Sequence, residues 1–309
     1  MPAAEGRVEF RPAKAGEMEP CARVFVRAVN DLSRRKGSPV VPRNARQIAL
    51  RLGHLRRTDP QGFQVAVKRG RVVAFASTIL RENIHFLSMF WMLPSLQSRG
   101  VGQELLARAF AGVKEPPGAI RCVYASFDHR AQRLYVRFGM APRSVIYGLG
   151  AETVELPPAP LVPVELRQLG EPGKVTPEAL AIAAAVDRRV RGCRRDADIA
   201  FEISQPGARF FEAREDGETV GYLRVAGDGM VGPGGVIDKR YNEGLAWAGL
   251  RAASDLGAEK VRMQVAGLNI EALETAFRAG LKISFMGAWM SERPFGKLEC
   301  YFATAGDIF

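Results

Sequence analysis

The sequence predicts an α/β protein in which one mixed-sheet plan is written twice. Three observations carry this expectation. The 309 residues suit two domains of roughly 150 residues each. Strand-like runs are joined both by tight turns and by helical stretches, which implies a mixed, mostly antiparallel sheet flanked by helices. Finally, matching segments recur in the same order in both halves.

The first half opens on Val8-Glu9-Phe10-Arg11 and the second on Val164-Glu165-Leu166-Arg167, short alternating segments that each lead into a helical stretch. Asn44 to Leu55 then reads as a second amphipathic helix. The second half is shorter at this point, and its arginine-rich stretch Arg188 to Arg195 reads as a solvated helix end. A hairpin follows in each half. Phe63 to Val67 turns through Lys68-Arg69-Gly70-Arg71 into Val72 to Phe75, and Phe211 to Arg214 turns through Glu215-Asp216-Gly217-Glu218 into Thr219 to Tyr222. In both turns a glycine can supply the positive φ that a two-residue hairpin needs. Late in each half a strand runs into a helix: Asp128-x-x-Ala131 reaching Gly139-Met140, and Asn269-x-x-Ala272 reaching Gly280-Leu281. Asp and Asn are good N-caps, and each glycine stands where a helix should stop. Ala151 to Pro163 carries four prolines and reads as a linker, giving domains at 1–150 and 164–309 with a linker at 151–163.

Composition narrows the classes. Hydrophobic residues make up 47% and charged residues 25%, unlike a disordered chain. No apolar run reaches the ~20 residues that cross a bilayer. The opening Met-Pro-Ala-Ala-Glu lacks the plan of a signal peptide, so a cytoplasmic protein is expected. Cys21, Cys122, Cys193 and Cys300 form no CxxC pair, and His54, His85 and His129 are far apart, so no metal site is expected. Residues 1–150 hold 25 Lys and Arg against 10 Asp and Glu, a net +15, whereas residues 151–309 carry −4. A basic half suits an anionic partner: a polyphosphate cofactor, an acidic substrate or a nucleic acid. No stacking motif or compact Lys/Arg run points to nucleic acid.

The strongest chemical signal spans residues 85–107. An apolar run, Phe86 to Leu93, stops at Pro94. The loop Ser95 to Gly102 follows, and a helix begins at Gln103-Glu104-Leu105-Leu106. The first amides of a helix have no intrahelical acceptor and point outward, and glycines at 100 and 102 leave room for a phosphate.

About 25 residues onward comes Asp128-His129-Arg130-Ala131-Gln132-Arg133-Leu134-Tyr135-Val136-Arg137-Phe138-Gly139-Met140. With this pair of motifs the chain resembles the GNAT superfamily of N-acetyltransferases. Its pyrophosphate loop, Gln/Arg-x-x-Gly-x-Gly/Ala, is matched by Gln97, Gly100 and Gly102. Its later helix, Asn-x-x-Ala-x-x-Leu-Tyr-x-x-x-Gly-Phe, is matched by Ala131, Leu134, Tyr135 and Gly139, with Asp128 for Asn and Met140 for Phe. The resemblance covers residues 7–150, with 163–305 as a worn copy.

It implies two tandem domains and acetyl-CoA as co-substrate, bound by the first copy. The pantetheine arm would lie where two strands part and pair with the backbone of Trp91, Met92 and Leu93. The diphosphate would rest on amides from Arg99 through Gly100, Val101, Gly102, Gln103 and Glu104, with Asp128 beside the pantetheine. A carboxylate cannot donate as the family's asparagine does, which distinguishes that contact. Tyr135 fits the family's general acid, since a phenol of pKa about 10 is protonated at neutral pH. The acceptor would be a small-molecule or peptide amine. The base is not legible: Glu82, His85, Ser88 or a water relay would each serve, and Arg34, with Asn30, Arg35 and Arg43, falls where this family shapes the acceptor pocket. The second copy lacks the loop spacing and has Ala276 where Tyr135 stands, so it is expected not to turn over acetyl-CoA. Oligomeric state is left open.

Overall fold

The computed structural model describes residues 7–40, 42–97 and 100–308. The chain packs as two compact units that divide between Arg121 and Cys122.

The first unit holds strands β1 (Glu9–Pro12), β2 (Phe63–Lys68), β3 (Arg71–Arg81) and β4 (Ile84–Met92), with helices α1 (Met18–Arg35), α2 (Ala45–Thr58) and α3 (Val101–Ala111). The strands lie in the order β1-β2-β3-β4, all antiparallel. Each tight link has a local cause. Arg69 and Gly70 both take positive φ between β2 and β3, as a primed hairpin turn requires. The side chain of Asn44 accepts from the amides of Arg46 and Gln47 at the start of α2. On α1 the buried residues Cys21, Val24, Ala28 and Leu32 recur at three to four residues, so one face meets the sheet. On its other face Leu105 and Ala109 of α3 pack with Ala74 and Ala76 of β3.

In the second unit the strands are β5 (Ile120–Ser126), β6 (Ala141–Ala151), β7 (Glu165–Gln168), β8 (Arg209–Glu215), β9 (Glu218–Val225), β10 (Met230–Val236), β11 (Val261–Ala266), β12 (Lys282–Ser291) and β13 (Tyr301–Ala303). Its helices are α4 (His129–Arg137), α5 (Pro177–Val190), α6 (Asp196–Ile203), α7 (Asn242–Asp255) and α8 (Ile270–Arg278). The sheet order is β5-β12-β6-β11-β13-β10-β9-β8-β7.

The repeat recurs in atomic detail. Asp216 and Gly217 both take positive φ, as Arg69 and Gly70 do. Asp128 caps α4 and Asn269 caps α8. Gly139 and Gly280 share φ +86°, and the amides of Met140 and Leu281 close back on the carbonyls of Tyr135 and Ala276, both at 3.0 Å. This is the left-handed helix stop for which glycine is suited.

Packing nevertheless divides the chain at 121 rather than at the repeat boundary near 150, because the two repeats exchange strands. β12, from the second repeat, pairs antiparallel with β5 (Ser291 opposite Cys122) and with β6 (Gly287 opposite Ile146). β6, from the first repeat, pairs on its other edge with β11. Each repeat thus completes the sheet of the other. At the crossing Gly148 lies against the Phe285 ring: a Cβ there would come within 2.0 Å of it, and the ring would have to shift.

Two sequence expectations are corrected in this unit. The second repeat does have a second helix, α6. It escaped notice because its N-cap, Arg195, makes no side-chain cap bond and its buried Asp198 and Glu202 break the apolar pattern. The arginine-rich stretch is also not a solvated end: Arg191 and Arg195 are buried while Arg188, Arg189 and Arg194 are exposed.

Candidate functional site

β4 is bulged. Its register against β3 steps from Met89 opposite Ser77 to Leu87 opposite Thr78, leaving Ser88 as the extra residue. A bulge bends and re-aims the strand beyond it. Burial changes at that point: Ile84 through Ser88 are buried, whereas Met89 through Met92 are half-buried. Trp91, Met92 and Leu93 therefore arrive together at a partly open strand end. The Trp91 ring meets Phe25 of α1 edge-on at 4.9 Å, and the Leu93 amide bonds the Val73 carbonyl at 2.9 Å.

A single 3-10 turn, Pro94–Leu96, follows. Leu96 is buried with Val101 and Leu105, which pins the loop to the core between strand and helix. Gln97 is half-buried, and its amide bonds the Pro94 carbonyl at 3.2 Å. Arg99, named above as an amide donor, lies outside the described residues. Gly100 sits at the N-cap of α3 with φ +78°, and a Cβ there would meet nothing within 4 Å. Among the described residues, nothing fills the space at that Cβ position.

The Glu104 amide makes the first intrahelical bond, to the Gly100 carbonyl at 3.3 Å, and its carboxylate pairs with Arg108 at 2.6 Å. Its amide is thus engaged within the helix. The amides that a helix start leaves for an anion are those of Val101, Gly102 and Gln103.

Asp128 and Tyr135 belong to the second unit. The Asp128 carboxylate accepts from the Arg130 amide at 3.0 Å and from the Arg130 guanidinium at 3.2 and 3.3 Å. Tyr135 is the one buried residue of α4. Burial first, and the charge of Asp128 second, push its phenol above the ordinary tyrosine value. It is a neutral hydroxyl throughout the physiological range, able to donate a proton and unable to act as a resting base.

The other sequence candidates lie elsewhere. Arg34 is exposed in the last turn of α1. Glu82 is exposed in the two-residue turn between β3 and β4, with φ +50°. His85 follows at the start of β4, seven residues before Met92, about 20 Å away at the rise of a strand. Both stand at the opposite end of β4 from the loop. Phe25 was not singled out in the sequence, and Ser88 was named there only as a candidate base, because a bulge shows only in register.

His85 is instead buried and tied to a half-buried ion pair. Its Nδ1 lies 2.5 Å from Glu115 Oε1, and Arg121 grips both oxygens of Glu115 at 2.7 and 2.9 Å. The ring stands edge-on to Phe110, over which the Arg121 guanidinium also lies. Burial lowers the His85 pKa, and this outweighs the opposing pull of Glu115. Burial acts to raise Glu115, but the bonds from Arg121 and His85 hold it below the usual carboxylate range. For stability the signs agree. The unfolded chain takes up the His85 proton at higher pH than the folded one, so stability present above about pH 6.5 is lost as pH falls below it. Glu115 adds a further loss as pH falls through its lower, folded value. Thermal melting across pH 7 to 5 should show a falling transition for the first unit, and His85→Gln should flatten the portion near pH 6. An unchanged profile in that variant would remove His85 as the cause.

Among the described residues no group of histidines, cysteines and acids could hold a metal ion. The four cysteines form no disulfide and are buried; burial raises the Cys21 and Cys122 thiols and puts Cys300 at about 11. Among the described residues no helix is long and apolar enough to cross a membrane.

Comparison with known proteins agrees with this geometry. The model of the acetyltransferase (GNAT) family matches residues 27–140, a span holding both the glycine loop and α4. No curated protein sequence matches the chain. Among solved structures, an assigned acetyltransferase of Pyrococcus horikoshii is similar at TM-score 0.70 and 18% identity, over 100% of this chain and 94% of that one. A GCN5-related N-acetyltransferase from Sphaerobacter thermophilus is similar at TM-score 0.61 and 19% identity, over 95% and 98%. A tandem GNAT protein from the clavulanic acid biosynthesis pathway is similar at TM-score 0.58 and 17% identity, over 94% and 100%. At these identities the likeness speaks for the fold. The bulged strand, the glycine loop at a helix start and the capped tyrosine helix thus stand in the segment that matches the acetyltransferase (GNAT) family model, in a chain with the fold of tandem GNAT proteins.

Proposed function

We propose that the chain transfers an acetyl group from acetyl-CoA to a primary amine by direct attack. The observation that carries this reading is the open helix start at Gly100, set directly after the re-aimed end of β4. The Val101, Gly102 and Gln103 amides would hold the diphosphate, with a macrodipole contribution of about 0.5–1 kcal/mol. Backbone groups of Trp91 to Leu93 would align the thioester, and a strand amide near Met92 would stabilise the developing oxyanion. When bound, the thioester supplies the acyl carbon and a thiolate leaving group. The amine lone pair attacks that carbon, the C–S bond breaks, and Tyr135 gives its proton to the departing sulfur. The amine's surplus proton leaves to solvent or a base. Holding amine and thioester together accounts for most of the acceleration.

Thiol release from acetyl-CoA across a panel of small amines and peptides tests the reading. Amine-dependent release above the hydrolysis background is expected. A second reading, CoA binding without turnover, is favoured by one observation: Asp128 is tied to its own helix and to Arg130, and offers no donor of the kind an asparagine would. Calorimetric binding of CoA with no release on any amine would select it.

Gly100 gives a direct check of the loop. A valine there would be held at φ +78°, a region that β-branched residues avoid. The strain, of order 1–2 kcal/mol, would distort the loop and weaken CoA binding about tenfold. An unaltered Kd for Gly100→Val would place the diphosphate elsewhere.

A further inference from the structure

In the second repeat β10 corresponds to β4 and β11 to β5. β10 and β11 pair in parallel only at their starts, Met230 opposite Arg262 and Val231 opposite Met263. β10 is then bulged, its register against β9 slipping between Val231 and Gly234. Beyond the bulge β10 and β11 part, and the gap is not open. β13 lies in it, antiparallel to both: Gly234 opposite Phe302 and Gly235 opposite Tyr301 on one side, Gln264 opposite Ala303 and Val265 opposite Phe302 on the other.

The bed is shaped for this strand. A Cβ on Gly232 would come within 2.6 Å of the Ala303 carbonyl oxygen, and one on Gly235 within 3.2 Å of the Cys300 carbonyl oxygen. The run Gly232-Pro233-Gly234-Gly235 thus lets a third backbone approach closely. The segment is also held at the helix start. The side chain of Asn242, first residue of α7, donates to the Glu299 carbonyl at 2.8 Å and accepts from Asn269, the cap of α8, at 3.3 Å. Asn269 is the counterpart of Asp128. Phe302 is fully buried, and the Tyr301 ring lies under the Arg191 and Arg195 guanidinium groups at 4.7 and 5.2 Å.

We propose that residues 298–303 are a built-in occupant of the second repeat's ligand groove, a peptide strand bonded to both walls and to the adjoining helix start. The groove has become a slot for an extended peptide and is closed to a thiol cofactor. Calling it a cofactor groove rests on the function proposed above for the first repeat; its occupation by β13 does not. Gly232, Gly234 and Gly235 are the floor of this slot.

The test uses the full chain. Hydrogen exchange should show the amides of residues 301–303 protected at least 100-fold beyond an unstructured chain, and unchanged by saturating CoA. Calorimetry should give no more than one CoA per chain. Asn242→Ala should speed exchange at 301–303 about tenfold and leave the CoA stoichiometry as it was. A second equivalent of CoA, or faster exchange at 301–303 when CoA is added, would overturn the proposal, as would exchange at the rate of an unstructured chain. Protection with no CoA bound at all would support the occupied slot and refute the proposed function, so the two failures are distinguishable.

Discussion

Asp187→Ala is expected to cost the second unit about 3–5 kcal/mol, the largest single effect foreseen for stability. The carboxylate sits in a closed, buried triangle. Arg195 Nε donates to one oxygen at 2.7 Å, the Tyr222 hydroxyl donates to the other at 2.8 Å, and Arg195 Nη2 donates to that hydroxyl at 2.8 Å. Exposures of 1% for Asp187, 2% for Arg195 and 0% for Tyr222 leave water no access. Burial penalises the Arg195 charge, and the neighbouring carboxylate more than compensates, raising its pKa well above the ordinary value. Without Asp187 that cation stays in an apolar interior with Nη1, which already has no partner, still unsatisfied. Replacing both partners, as in Asp187→Leu with Arg195→Met, removes the stranded charge and should recover most of the loss. Chemical denaturation of the two variants decides it. A loss below about 1 kcal/mol in the single variant would show that the triangle contributes little.

The largest effect on turnover should come from Tyr135→Phe, where kcat is expected to fall about 100- to 1,000-fold with CoA affinity unchanged. The substitution removes one oxygen from a ring that is 5% exposed and leaves its packing in place. Folding should therefore be intact, which an alanine would not guarantee. Because burial holds the phenol above its usual pKa, no alkaline loss of activity from Tyr135 is expected below about pH 10. Steady-state kinetics and a CoA titration on the same preparation check both statements. A kcat within twofold of the parent would take Tyr135 out of the chemistry.

Where sequence reading succeeded, the determinants lie within a few residues of one another. The turns at Arg69-Gly70 and Asp216-Gly217 need positive φ. The caps at Asp128 and Asn269 satisfy an amide two or three residues on. The stops at Gly139 and Gly280 close on carbonyls three to five residues back. The loop from Leu93 to Gly102 belongs to the same class, since a strand end, a glycine and a helix start are all legible in one window.

Where it fell short, the partner was distant in the chain. His85 on an apolar strand offers no hint that Glu115 and Arg121 will meet it thirty residues later. Arg191 and Arg195 look like surface residues until Asp187, Tyr222 and Tyr301 enclose them. Glu104 looks like any first-turn residue until its amide is seen to be the first one bonded within α3.

The sequence by itself determined the duplicated α/β plan, the helix ends, the hairpin turns and the glycine loop, because these depend on backbone torsions and on bonds spanning a few residues. Tertiary structure alone decided that β6 and β12 change places between repeats and that β13 enters the gap between β10 and β11. A strand carries an unbonded edge wherever it runs, and any other strand can satisfy it. Which one does so depends on what lies beside it in space.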